Sequence, residues 1–181
     1  MIRSIRRFAR FRSEKGMTLV ELCVVIGILG TLLVLAVASL RRARLAANEA
    51  NAIGALRTVT KAEFAYAADC GHGNYATSLL VLGQKPPHMV QGYLNPDLGS
   101  QITATTSGYY VNVRKGAGMD DARADCLGNA TVTGYYAIAI PIDPGSSGRR
   151  TFATSQANAV WQQFGNVAPA EPFGPPAEIV H

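Results

Sequence analysis

The side chains able to do chemistry are few, and they do not converge on a reaction. His72, His88 and His181 show no metal-ligand spacing. Ser146 and Ser147 have no histidine or acid arranged to activate a nucleophile. Asp120, Asp121 and Asp125 could offer hard oxygen ligands to calcium, but the glycine and closing glutamate of an EF-hand loop are missing. A solvated acidic loop without metal is therefore the expectation there. Cys70-Gly71-His72 reads as a structural cysteine beside a loop histidine. The chain is expected to be no enzyme and to carry no cofactor. One ionisable group stands out by position: Glu21, a carboxylate at the edge of a long apolar run.

That run is Leu22–Leu40, LCVVIGILGTLLVLAVASL, whose only polar side chains besides Cys23 are Thr31 and Ser39. Nineteen residues at ~1.5 Å per residue span about 28 Å, close to the ~30 Å hydrocarbon core of a bilayer. The 181-residue chain has a net charge of +5, with 17 basic and 12 acidic residues. Residues 1–16 hold six of the basic residues and the single acid Glu14, so the entire excess lies there. The remaining 165 residues are neutral, which speaks against strong nucleic-acid binding. The basic leader is expected to stay cytoplasmic, despite Arg41, Arg42 and Arg44 at the far end of the run, and the body to be exported.

Three export signals compete. Ala36-Val37-Ala38 offers a secretory cleavage site, which would leave Ser39 as the new terminus. Arg6-Arg7 offers a twin-arginine pair, but Phe8 follows it directly. The third is Lys15-Gly16-Met17-Thr18-Leu19-Val20-Glu21-Leu22, preceded by the basic leader and followed at once by the apolar run. This segment resembles the prepilin processing site of type IV pilins and type II secretion pseudopilins. The resemblance covers residues 10–45 and implies cleavage between Gly16 and Met17 by a membrane prepilin peptidase, with N-methylation of Met17. Met17 stands where phenylalanine is commonest. The resemblance also implies a partner for Glu21: the positively charged Met17 amine of a neighbouring subunit, setting axial register in a filament. The other reading of Glu21 is local, an anion near the N-terminus of its own helix. Cys23, Gly27 and Thr31, four apart, would let helices approach closely.

No proline occurs before Pro86, and residues 41–68 are rich in alanine, so one helix is expected from about 18 to 68. Ile53, Leu56, Thr60, Phe64 and Ala67 form a stripe for packing on a globular domain. Arg41, Arg42, Arg44, Arg57, Lys61, Glu49, Glu63 and Asp69 include no opposite pair three or four apart. Solvation or pairing between subunits is expected for them. Strand-like runs follow at 108–115, 132–142, 150–155 and 159–163, with a short helix at 79–82. The fold class expected is α+β: a long N-terminal helix, its second half packed on a small four-stranded antiparallel sheet. Tyr109 and Tyr110, and Tyr135 and Tyr136, are expected on opposite faces of their strands. Cys70 and Cys126, 56 residues apart in an oxidising compartment, are expected to pair, a closure worth about 4 kcal/mol in the chain-entropy account.

The expected organisation is a cleaved leader at 1–16, a transmembrane and assembly helix at 17–40, an exported domain at 41–164 and a loosely ordered proline-rich tail at 165–181. The expected function is a structural subunit of a type IV pilus-like filament. The alternatives are a type II secretion pseudopilin, or a minor pilin acting as an adhesive or DNA-binding module, with Arg114-Lys115 or Arg149-Arg150 as a local patch. The expected partners are further copies and related pilins, the prepilin peptidase, an inner-membrane assembly platform and the membrane. The precursor would sit once through the inner membrane, N-terminus cytoplasmic, before joining a periplasmic or surface filament.

Overall fold

The computed structural model describes residues 16–180. Residues 1–15, which hold nearly all of the expected leader, and His181 lie outside the described residues. The chain divides into two compact units, the first ending at Leu40 and the second beginning at Arg41. Helix α1 runs Leu19–Asp69. Within the first unit, the described residues from Gly16 to Leu40 are all exposed. This stretch belongs to a helix long and apolar enough to cross a membrane.

The second unit contains the rest of α1, then β1 (Tyr75–Ala76), α2 (Leu79–Gly83), α3 (Pro96–Gly99), β2 (Thr103–Thr106) and β3 (Tyr109–Lys115). These are followed by β4 (Asp121–Ala122), β5 (Thr131–Val132), β6 (Tyr135–Pro141), β7 (Arg150–Ser155), β8 (Val160–Phe164) and β9 (Glu178–Ile179). The fold class is α+β, but the sheet is larger than four strands. A six-stranded antiparallel sheet runs β2-β3-β6-β7-β8-β9, and a three-stranded one runs β1-β5-β4. The four runs legible in the sequence form the middle of the larger sheet. The strands that were missed are mostly two residues long, too short to show alternation, and only pairing with a distant partner defines them.

α1 buries Leu45, Glu49, Ala52, Leu56, Val59, Glu63 and Tyr66, alternating steps of four and three, and Cys70 just past its end continues the line. The expected stripe was rotated from this line. Leu56, Thr60 and Ala67 are buried, Ile53 is half-buried and Phe64 is exposed. Two acids, Glu49 and Glu63, lie on the buried line, and apolar spacing alone does not mark it. From the sheet, β3 alternates as a half-buried strand should: Tyr109, Val111 and Val113 point in, and Tyr110 points out. Tyr135, Ala137 and Ala139 of β6 join the same core.

Tyr136 is also buried, although it points the other way from Tyr135. Its cover is the proline-rich tail, which is not loosely ordered as expected. Thr151 Oγ1 donates to Val167 O at 2.7 Å, and the Tyr136 hydroxyl donates to Pro169 O. The Phe173 ring stacks on Trp161 at 5.4 Å and on Tyr136 at 6.1 Å. The chain then returns as β9 along β8, and Val180 N donates to Val160 O at 2.8 Å. Proline spacing suggested an extended chain, and the chain is extended; aromatic surface on the sheet's second face fixes it in place.

Candidate functional site

The expected processing and assembly residues sit together at the start of α1. Gly16 and Met17 precede the helix and are exposed. Thr18 caps it. The Glu21 amide donates to Thr18 Oγ1 at 3.2 Å, and Glu21 Oε2 accepts from the Thr18 amide and hydroxyl at 3.4 Å each. This reciprocal arrangement is a capping box, in which a threonine and a glutamate three residues later satisfy otherwise orphaned amides. It realises the local reading of Glu21: an anion at the positive end of the helix dipole. The carboxylate nonetheless stays exposed, within the turn that follows the Gly16–Met17 bond.

In the second unit, Cys70 and Cys126 are joined by a disulfide with their Cα atoms 5.0 Å apart. The bond ties the C-terminal end of α1 to the loop before β5. Cys126 N also donates to Cys70 O at 3.1 Å. Cys23 is free and exposed.

The three aspartates expected as a solvated loop do not share a site. Asp125 is buried, and protein donors occupy its carboxylate: Leu127 N and Asn129 N on Oδ1, Asn129 Nδ2 and the Tyr66 hydroxyl on Oδ2. Burial pushes its pKa up, but the Asn129, Tyr66 and Leu127 hydrogen bonds outweigh that and hold it below the ordinary aspartate value. Asp121 pairs with Lys115 at 2.9 Å, and the Asp120 amide donates to Thr133 Oγ1. Among the described residues, no group of three or more histidines, cysteines and acids could hold a metal ion.

The α1 acids correct the expectation of solvation or pairing between subunits. Glu49 is buried, accepts from Arg149 N at 2.9 Å and pairs with the Arg150 guanidinium of β7. Glu63 is fully buried, and its Oε2 accepts from Ala76 N at 2.8 Å. Burial pushes its pKa from 4.5 to about 8, against the pull of that amide. Asp69 accepts from the Tyr93 hydroxyl and lies 2.7 Å from His88 Nε2; these two hydrogen bonds, Tyr93 first, lower its pKa. Sequence spacing could not find these pairings, because each partner lies on another element.

Arg114 lies over the Tyr136 ring at 4.9 Å, beside a cavity of about 400 Å³ that Lys115 and Glu171 also line. Arg150 is committed to Glu49 and Gln162. The chain matches no family model, no curated protein and no solved structure.

Proposed function

We propose that this chain is a structural subunit of a type IV pilus-like filament, matured by cleavage between Gly16 and Met17. One observation carries the reading. From Leu22 to Leu40 the helix carries no charged residue, and each of these residues is exposed among the described residues. Large side chains such as Leu19, Val34 and Leu35 are more than two-thirds exposed. A surface of this kind needs a bilayer before assembly and like helices after it. The motif from Lys15 to Leu22 stands at the edge of that surface, where a peptidase at the cytoplasmic face would meet it.

Cleavage at Gly16–Met17 would remove the +5 leader and leave a positive amine on Met17, which N-methylation keeps charged. Glu21 would then meet the Met17 amine of a neighbour in a medium of low dielectric, where the pair sets register more than it adds stability. The capping box supports this role by holding the carboxylate in the first turn. The precursor would cross the inner membrane once, N-terminus inside, and its partners would be the prepilin peptidase, an assembly platform and further copies.

The test is mass spectrometry of the N-terminus of protein sheared from the cell surface. A chain that begins at methylated Met17 is the expected result. A terminus at Ser39 would mean ordinary secretion and would sink the reading.

A further inference from the structure

Between Ala50 and Lys61, α1 is grooved on both flanks, and the flanks differ in charge. One groove of about 760 Å³ lies between α1 and the segment from Asn95 to Ser107. Its α1 wall includes Asn51 and Thr58, and among the described residues Asp97 is the only ionisable one lining it. The other groove, about 440 Å³, lies between α1 and the β8–β9 edge, with Val160 and Val180 in its far wall. Its ionisable residues are Arg57 and Lys61. At 100° per residue, Asn51 and Thr58 fall on one side of the exposed ridge Ala50-Gly54-Lys61, while Arg57 and Thr60 fall on the other.

The acids in the second half of α1 are already engaged. Glu49, Glu63 and Asp69 find donors within the second unit. Arg57, Lys61 and Asp97 enter none of the ion pairs among the described residues. A side chain added at Gly54 would meet nothing within 4 Å, so the ridge between the grooves is open to a second backbone. One copy therefore presents an acidic polar groove on one flank and a basic edge on the other. Two different surfaces that complement each other make a heterologous contact, and a heterologous contact that does not close gives an open helical array.

We propose that the Asp97 groove of one copy receives the Arg57–Lys61 edge of a second copy, as a head-to-tail contact between exported units. This rests on the filament reading and adds a second specificity element, remote from Glu21. The contact orients neighbours by charge, while the apolar helix supplies the adhesion.

The test uses the full-length chain in its own cells, with sheared surface filament as the readout. Like charges facing across a contact are strongly unfavourable, so Asp97→Lys alone, or Arg57→Asp with Lys61→Asp, is expected to lower filament yield at least about tenfold. Combining the reversals re-forms the pair with opposite polarity and is expected to restore yield to within about threefold of wild type. Non-reducing electrophoresis checks that the Cys70–Cys126 bond still forms in every variant, because the substituted positions are exposed. Wild-type filaments that tolerate either reversal, or a combination that stays defective with the disulfide formed, would overturn the contact and leave the filament reading standing. A wild-type chain that yields no filament would overturn both.

Discussion

Glu63 shows how far one residue's chemistry depends on its surroundings. By type it belongs on the surface, and a buried ionised carboxylate with one hydrogen bond is expensive. Among the described residues its Oε1 has no partner and its Oε2 has only the Ala76 amide, and burial raises its pKa to about 8. The folded state therefore holds a proton that the unfolded state releases near 4.5. As pH rises from 4.5 to about 8, the unfolded chain ionises and the folded chain does not, so stability falls across that window. The shift corresponds to a loss on the order of 5 kcal/mol, complete above the folded pKa. Glu63→Gln should flatten this slope: urea midpoints at the two ends of the window differ in wild type and converge in the variant. An unchanged slope in Glu63→Gln would show that another group carries it. Asp125 follows the same logic with the opposite outcome, because hydrogen bonds from Asn129, Tyr66 and Leu127 hold its pKa below the ordinary aspartate value.

At the scale of elements, the second face of the sheet is the unexpected feature. β6 and β8 present Tyr136 and Trp161 away from α1, and the tail from Val167 to Val180 covers them. Phe173 sits between the two rings and is the natural place to probe this cover. Phe173→Ala is expected to cost about 1.5 kcal/mol, the scale of a lost aromatic pair. Trp161 is the only tryptophan, so its emission reports the same event directly and should shift to the red in the folded variant. An unshifted emission would mean that the tail does not cover Trp161 in solution. The inner strands β3, β6, β7 and β8 were legible because each carries several alternating or β-branched residues. β1, β4, β5 and β9 are two residues each and had no period to read.

At the scale of the whole molecule, charge and hydrophobicity are segregated along the chain. The basic excess occupies residues 1–16, the uninterrupted apolar run occupies 22–40, and the remainder is neutral and folds around its own core. Such a chain should remain in the membrane pellet after alkaline carbonate extraction. A charge at the centre of a spanning helix costs roughly 3 kcal/mol, so Leu32→Arg should move a substantial share of the protein into the supernatant. Equal retention of wild type and variant would argue against a spanning helix.

The sequence by itself determined the features that are local in the chain: the long helix, the apolar run that no charge interrupts, the place of Glu21 near the start of that helix and the four central strands. Each is written in consecutive residues through composition or period. It also pointed to the Cys70–Cys126 bond, since only two cysteines lie outside the apolar run. Tertiary structure alone decided the partners of Glu49, Glu63, Asp69 and Asp125, the rotation of the buried helix face, the two-residue strands and the seating of the tail. The physical reason is the same in each case. Desolvation and hydrogen bonding depend on groups brought together across 13 residues for Glu63 and Ala76, and across about 100 for Glu49 and Arg149 or Arg150. No pattern in either stretch encodes that proximity until the chain is folded.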